Sequence, residues 1–562
     1  MVARRRWGKF MSDKDRDYKV CQALLGQRWR FHDWRGLARH CMPLLIPASE
    51  MQDMPDDGLV DVVVQRAKDD VLKLAGVCAS MVTERGLNWF YYKSNDKDAD
   101  ADADDWFTKA TQVVQDVIEQ SNFYTEQHSA VVDRIVTGTG LMLIEPDVVR
   151  KLVFVHVPAG TYAIAENDEL EVDTVVRTFK FTPHQAALKW GLDALSEKMR
   201  KAYENAEERY SKQCEFWHLV EPRDVADMGN VPGEDGPLDP LKMSWRSVYL
   251  DVESRHVVAE DGYYEFPYLC SRFVTLAGSP YGLSALYGLD DTLRKIIRLE
   301  GSIVDAAEAA AMPRVLTTGD MVEDICLEAG GITVVTPSAM NSQLPREWAS
   351  VVDYRSGKEL LAEKEAEIDK ALFIDAIQVL EPVERQMSAT EAQLRTNEKV
   401  QTFAPTFSQY VADLRRPMER IFAICYRAGL FPENYVPKGL LRPTEASAGQ
   451  MYKLNAPTPA YIGRMAKALE NNKVRGVQTL LELGGQMMKL SGDAAWLGAM
   501  KPGRVMRFLG RELNVPDECM EKLRVLEERE EQARAAAADM AAAQVQQLQA
   551  AAAKDQAMAE GK

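Results

Sequence analysis

Three runs of residues have types and spacing that could do chemistry. Arg28-Trp29-Arg30-Phe31-His32-Asp33-Trp34-Arg35 interleaves cations with aromatics. That mixture suits a nucleic-acid patch, with guanidinium groups on phosphates and rings on bases. It equally suits an amphipathic helix that turns its aromatics inward and leaves its arginines in water. Asp96-Lys97-Asp98-Ala99-Asp100-Ala101-Asp102-Ala103-Asp104-Asp105 alternates carboxylates as a calcium-binding loop does. Such a loop needs Gly at position six and Glu at position twelve. Counted from Asp96 those positions are Ala101 and Phe107, and counted from Asp98 they are Ala103 and Lys109. Both frames fail, so the expectation is a solvated acidic loop with no metal. Thr137-Gly138-Thr139-Gly140 precedes the apolar run Leu141-Met142-Leu143-Ile144. Dinucleotide sites use the order strand, glycines, helix, so these glycines read as a helix stop and a turn.

Other catalytic signatures are missing. No G-x-x-x-x-G-K-[ST] is present to cradle a triphosphate. Gly357-Lys358 lacks the upstream glycine and is followed by Glu359. There is no H-E-x-x-H and no G-x-S-x-G. The seven histidines (32, 40, 128, 156, 184, 218 and 256) are dispersed, and His40-Cys41 is adjacent and reads as structural. No catalytic residues, no cofactor and no enzymatic activity are expected. Eight scattered cysteines without a C-x-x-C pair read as reduced thiols, mostly core fillers in a cytosolic setting.

The elements that must position these residues follow from length and patterning. At roughly 150 residues per domain, 562 residues give three to four units. An apolar share of 46% with 27% charged residues is that of a folded chain. No run of about 18 apolar residues occurs, and MVARRRWGKF lacks an apolar region behind its arginines, so neither a membrane span nor a secretory signal is expected. The 68 basic and 85 acidic residues leave −17. Residues 1–41 hold eleven Lys/Arg against four Asp, so the rest of the chain carries −24. That balance opposes a protein that grips nucleic acid over most of its surface, and is compatible with one that lets nucleic acid slide past.

Periodicity predicts helices over 11–41, 59–85 and 106–137 and a strand-like run at 88–92, then short strands at 141–144, 151–157, 160–165, 171–181, 213–220, 245–252 and 268–275. These suggest an antiparallel sheet with a helix near 183–206 inserted. From 284 onward the pattern is mostly helical: 290–311, ended by Pro313, and 359–377 enclose a short strand module. Ser388-Ala389-Thr390-Glu391 is a capping box opening a very long helix to Ala428, which must kink or break at Pro405 and Pro417. A tail rich in Glu, Ala, Gln and Arg closes the chain from Leu523. It buries little on its own and must fray or bundle with copies of itself.

The order of these features carries a resemblance. Ser121-Asn122-Phe123-Tyr124 is followed by the Gly138-Thr139-Gly140 turn, Val157-Pro158-Ala159-Gly160-Thr161-Tyr162, Phe266-Pro267-Tyr268, Arg272, Ser279-Pro280-Tyr281-Gly282, Ser388-Ala389-Thr390-Glu391-Ala392 and Val515-Pro516. Over roughly residues 15–540 the chain resembles the portal, or head-to-tail connector, proteins of short-tailed, podovirus-type bacteriophages. The resemblance implies an α+β, predominantly helical fold that assembles as a ring, usually of twelve copies, around a channel for double-stranded DNA. It implies an α/β wing over 1–285 and stem helices over 286–311 and 356–377. A clip over 312–355 lies between those helices, followed by a tunnel loop over 378–387. A long kinked helix with the wing return spans 388–454, and a helical crown spans 455–562. It also implies partners: the major capsid protein, a scaffolding protein, the terminase large subunit and a tail adaptor, but no membrane. The expected location is the capsid portal vertex of the virion, with host cytoplasm during assembly. Tunnel-loop candidates for touching DNA are Gln378, Glu381, Glu384, Arg385 and Gln386, though a solvated connector would look the same. Channel-facing stem candidates are Arg294, Lys295 and Arg298, for which pairing within the helix or with a neighbouring subunit is the alternative. The competing class is a non-portal helical virion protein, a scaffold or internal core component, suggested by the Ala/Glu-rich C-terminus.

Overall fold

The structure is a computed structural model. It describes residues 13–27, 34–46, 63–93, 101–223, 240–311, 315–316, 346–347, 354–374, 389–432, 437, 440–443, 452–454, 456–462 and 502–512, with scattered positions between 476 and 549. The first elements are α1 (Asp13–Gln27), α2 (Trp34–Cys41), α3 (Gln65–Val82), β1 (Phe90–Tyr92), α4 (Ala101–Gln120) and α5 (Phe123–Thr137). Next come β2 (Thr139–Asp147), β3 (Lys151–Val157), β4 (Tyr162–Glu166), β5 (Val172–Phe181), α6 (Pro183–Trp190), α7 (Glu197–Glu204), α8 (Ala206–Ser211), β6 (Cys214–Pro222), β7 (Trp245–Asp251), β8 (His256–Tyr263) and β9 (Tyr268–Arg272). Then follow β10 (Val274–Thr275), β11 (Gly282–Leu283), α9 (Asp290–Ala311), β12 (Val315–Leu316), β13 (Arg346–Glu347), α10 (Tyr354–Ala371) and α11 (Ala389–Arg427). The last are β14 (Leu441–Pro443), β15 (Tyr452–Leu454), β16 (Pro459–Tyr461) and α12 (Pro502–Glu512).

Two antiparallel sheets form the middle of the chain: five strands in the order β4-β5-β6-β7-β8 and three in the order β3-β2-β9. Period-two alternation gives the five-stranded sheet two apolar faces. One is covered by α1, whose Tyr18 and Cys21 meet Val176, Trp217, Leu219, Val248 and Leu250. Asp17, fully buried on α1, receives both ends of the Arg246 guanidinium at 2.7 and 2.9 Å. The other face is shared. The three-stranded sheet covers one half through Leu141, Leu143, Val157 and Tyr268. Helices α6 and α7 cover the rest through Ala186, Leu195 and Met199. The largest core joins α2, α3, α4, α5 and β1 to the roots of α9 and α10 and to α11.

Several helix expectations need correction. The span 11–41 holds two described helices, α1 and α2. The span 106–137 is broken because Asn122 leaves the helix to bond both backbone groups of Phe154, at 2.7 and 3.0 Å, turning the chain onto β3. Helix α4 begins at Ala101, so part of the expected acidic loop is its first turn, where Asp102 and Asp104 complement the helix dipole. The single helix expected near 183–206 is three short ones. Gly191 (φ +83°) stops the first, and the side chains of Ser196 and Asn205 cap the next two. Helix α11 runs unbroken through Pro405 and Pro417. Tertiary contacts of Tyr410, Leu414, Met418, Ile421 and Phe422, all buried, outweigh the bonds the prolines remove.

Candidate functional site

The motif residues converge on one junction. Helix α5 ends at Gly138, whose φ of +87° is the left-handed cap conformation. A Cβ there would lie 2.2 Å from the carbonyl oxygen of Gly282, and a Cβ on Gly282 would lie 2.2 Å from the oxygen of Gly138. The two backbones therefore touch, which only glycine permits. Thr139 Oγ1 accepts from the Gly282 N–H at 2.8 Å, and the Tyr162 hydroxyl donates to Thr139 O at 3.0 Å. Ser279 Oγ accepts from the Tyr281 N–H at 3.2 Å, closing the Ser-Pro-Tyr-Gly turn. The next residues are tied back to α5, with Ser284 Oγ and Ala285 N–H both donating to Ile135 O at 3.1 and 3.0 Å. This junction sets the direction in which the chain enters α9.

Buried charges brace it. Asp133 accepts from the Ala159 N–H at 3.0 Å and lies 2.8 Å from His156 Nε2. Burial raises its carboxyl pKa, opposed by the bond to His156. Arg134 is 1% exposed, lies between the Phe273 and Tyr410 rings, and donates to Thr406 O on α11 at 3.1 Å. Desolvation by burial lowers its pKa. Asp413 on α11 accepts from Ser271 Oγ at 2.8 Å and from the Arg272 N–H at 3.2 Å, and its pKa is raised by burial. Further along α11, Arg420 reaches Ile144 O and Glu265 O at 3.2 and 2.9 Å. None of Asp133, Arg134, Asp413 and Arg420 was expected. The signal for the first two is a charged pair inside Val131-Val132-Asp133-Arg134-Ile135-Val136.

Beyond the junction, α9 and α10 form an antiparallel hairpin. Thr292 donates to Glu367 at 3.1 Å near the root, and Ile303 lies 3.5 Å from a Cβ placed on Gly357. Leu293, Ile296, Ile297, Ile368 and Leu372 bury the root, whereas Val304 is 55% and Leu360 42% exposed along the shaft. The chain beyond the two helices pairs as β12 with β13. At the root, Arg66 of α3 holds Asp369 of α10 with bonds of 2.8 and 2.6 Å. The wholly buried Asp70 lies 3.2 Å from Arg66 and 3.6 Å from Lys73. Burial, together with the neighbouring Asp369, pushes Asp70 up to about 6.

The candidate cations sit at the base of this hairpin. Arg294 lies 3.0 Å from Asp290 and Lys295 2.6 Å from Asp291, both i,i+4 pairs. Arg298 is exposed and makes no hydrogen bond or ion pair among the described residues. Gln378, Glu381, Glu384, Arg385 and Gln386 lie outside the described residues, as do Ser388 of the capping box and Arg28–Asp33 of the aromatic run. Trp34, at the edge of that run, is buried. No group of three or more His, Cys, Asp or Glu among the described residues could hold a metal ion. No described helix is long and apolar enough to cross a membrane.

This combination defines a chain whose built site is a structural joint carrying a projecting hairpin. Residues 21–520 match the family described as Bacteriophage head to tail connecting protein, and the chain belongs to that family. It is similar to the probable portal protein of Bordetella phage BPP-1, 23% identical over 443 residues that cover 76% of this chain and 74% of that protein. It is also similar to the portal protein of Salmonella phage epsilon15, 25% identical over 404 residues covering 69% and 67%.

Proposed function

We propose that copies of this chain, twelve in number, form the portal ring at one capsid vertex, the conduit through which double-stranded DNA is packaged and ejected. The observation that carries the reading is the α9–α10 hairpin, buried at its root and exposed along its shaft, in a chain of the connector family. Side-by-side hairpins from neighbouring copies would cover those shafts and line an axial channel. In this assignment the wing is 1–285 with 388–454, the stem 286–311 with 356–377, the clip 312–355, the tunnel loop 378–387 and the crown 455–562. The protein acts without catalysis. It nucleates assembly with scaffolding and major capsid proteins in the host cytoplasm, then docks the terminase and later the tail adaptor.

The charge supports this role. A duplex carries one negative charge per about 1.7 Å of axis, and dense phosphate neutralisation would stall its passage. A chain of net −17 repels the duplex over most of its surface. Arg298 and the tunnel-loop Arg385 are then the sparse cations that centre it. Because Arg294 and Lys295 have acidic partners on their own helix, their pull on DNA is weaker than that of Arg298.

The test is the mass and image of the purified assembly. The expected particle is near twelve times 63.1 kDa, with an axial lumen wide enough for a duplex. A stable monomer or dimer under assembly conditions would refute the ring. Deleting 380–386 should leave the ring intact and impair DNA packaging or retention.

A further inference from the structure

The exposed sides of the α9–α10 hairpin carry charge in matched order. On α9, Asp291, Lys295, Arg298 and Ser302 recur every three or four residues, and all are exposed. On α10, Lys370, Ala366, Glu363 and Glu359 do the same. Two contacts set the level of one helix against the other: Thr292 bonds Glu367, and Ile303 lies beside Gly357. Counted from these at 1.5 Å per residue, Asp291 stands within about 3 Å of the level of Lys370, and Glu363 within about 3 Å of the levels of both Lys295 and Arg298. Glu359 stands about 4 Å further from the root than Arg298. Read outward from the root, α9 is acid, base, base, and α10 is base, acid, acid.

The two stripes do not meet inside one chain, because the helices face each other through other residues. Nor are the charges fully matched there. Asp291 and Lys295 hold each other at 2.6 Å, which leaves Arg298 as the bare cation of the α9 stripe. Glu363 has Lys364 at 3.6 Å, but that lysine is bonded to Glu367.

We propose that the α9 stripe of one copy packs on the α10 stripe of the next, with Arg298 against Glu363 and Glu359, and Asp291 against Lys370. Rotation about an axis that runs along the hairpins keeps every residue at its own height. The match of levels within a copy is therefore also the match between neighbours. Pairing α9 with α9, or α10 with α10, would set like charges against each other, so the fit is head-to-tail and its occupant is a second copy. A guanidinium has five N–H donors, so Arg298 with one edge on Glu363 keeps the other for the duplex. The proposal rests on the ring reading above and names the charge register of its stem. An exposed ion pair contributes little by itself; what the pattern supplies is a penalty on every wrong register.

The experiment uses two full-length variants. Lys295→Glu/Arg298→Glu turns the α9 stripe acidic, and Glu359→Lys/Glu363→Lys turns the α10 stripe basic. Each alone places like charges in every seam, and ring formation, read by mass, should fall at least tenfold. Mixed one to one, each variant meets the complement of its own change on both sides, and rings return in which the two alternate. Unimpaired rings from either variant alone, or two impaired variants that do not rescue each other, overturn the seam and leave the ring reading standing. A wild-type protein that stays monomeric overturns both. Melting curves of the unassembled variants check their folding. If either melts early, Arg298→Gln and Glu363→Gln are compared singly and together. A combined loss of ring formation no larger than the single losses supports the pair, and losses that multiply overturn it.

Discussion

Three glycine-to-alanine substitutions separate the two demands made at the junction. Gly138 has both a left-handed φ and a backbone neighbour 2.2 Å from its absent Cβ. Gly282 has the neighbour at the same distance without the positive φ, and Gly86 has φ +79° with nothing within 4 Å. A left-handed backbone costs an alanine about 1–2 kcal/mol, offset by about 0.4–1 kcal/mol from the stiffer unfolded chain. Gly86→Ala is therefore expected to cost at most about 1.5 kcal/mol. To bring 2.2 Å out to an ordinary 3.4 Å contact, the backbones at 138 and 282 must part by about 1.2 Å. Overpacking of that kind costs about 1–3 kcal/mol. Here it also stretches the bond from Gly282 N–H to Thr139 Oγ1. Gly282→Ala should thus lose about 1–3 kcal/mol, and Gly138→Ala, which carries both costs, up to about 4.5 kcal/mol. Urea midpoints at fixed protein concentration, read by tryptophan fluorescence, give the order. Ring assembly of the same variants reports whether the direction of α9 has moved. If Gly138→Ala lies within 1 kcal/mol of wild type, or matches Gly86→Ala, the close-approach reasoning fails.

Two further outcomes concern buried titratable groups. His218 accepts at Nδ1 from Arg177 (3.0 Å) and lies 2.9 Å through Nε2 from Ser247. Burial, with Arg177 and Lys189 nearby, depresses its pKa well below 6.5. Below pH 6.5 the unfolded chain takes up a proton that the folded chain refuses. Stability should fall relative to His218→Gln by about 1.4 kcal/mol per pH unit, and parallel urea-stability curves from pH 8 to 5.5 would contradict this. Asp70 shows the opposite sign. Its raised pKa of about 6 means that charge burial costs stability above pH 6 and is relieved as the pH falls toward 3.8. Asp70→Asn should be more stable than wild type at pH 8, by on the order of 2–3 kcal/mol, and the advantage should shrink by pH 5. A destabilised Asp70→Asn at pH 8 would show that its pairs with Arg66 and Lys73 dominate.

Patterns of local origin were legible in the sequence, and contacts made at a distance were not. Helix Asp290–Ala311 can be read to its ends because an apolar stripe, acidic first turn and following proline agree. Strands β2 to β7 can be read from β-branched and aromatic runs between turns. Strand β8 escapes, because His256–Tyr263 passes from Val257-Val258 into Glu260-Asp261-Gly262 and lacks the alternation. Strand β1 can be read from the aromatic run at 88–92, but its pairing with β16 escapes because it joins Phe90 to Tyr461. The Gly138-Thr139-Gly140 turn was legible as a helix stop. Its contact with Gly282 was not, since nothing in either motif states that the two meet. Arg134, Asp413 and Arg420 escape because charged residue types point to the surface until their partners are known.

Helix α11 is riveted from Thr406 onward. Arg134 grips it at Thr406, Ser271 and Arg272 at Asp413, Tyr92 at Met418, and its own Arg420 fastens it to Ile144. Pro405, one residue before the first rivet, removes a backbone hydrogen bond. The stretch from Thr406 to Arg420 is therefore a beam fastened at four points, with its notch beside the first of them. A load entering at any one rivet is shared with the other three.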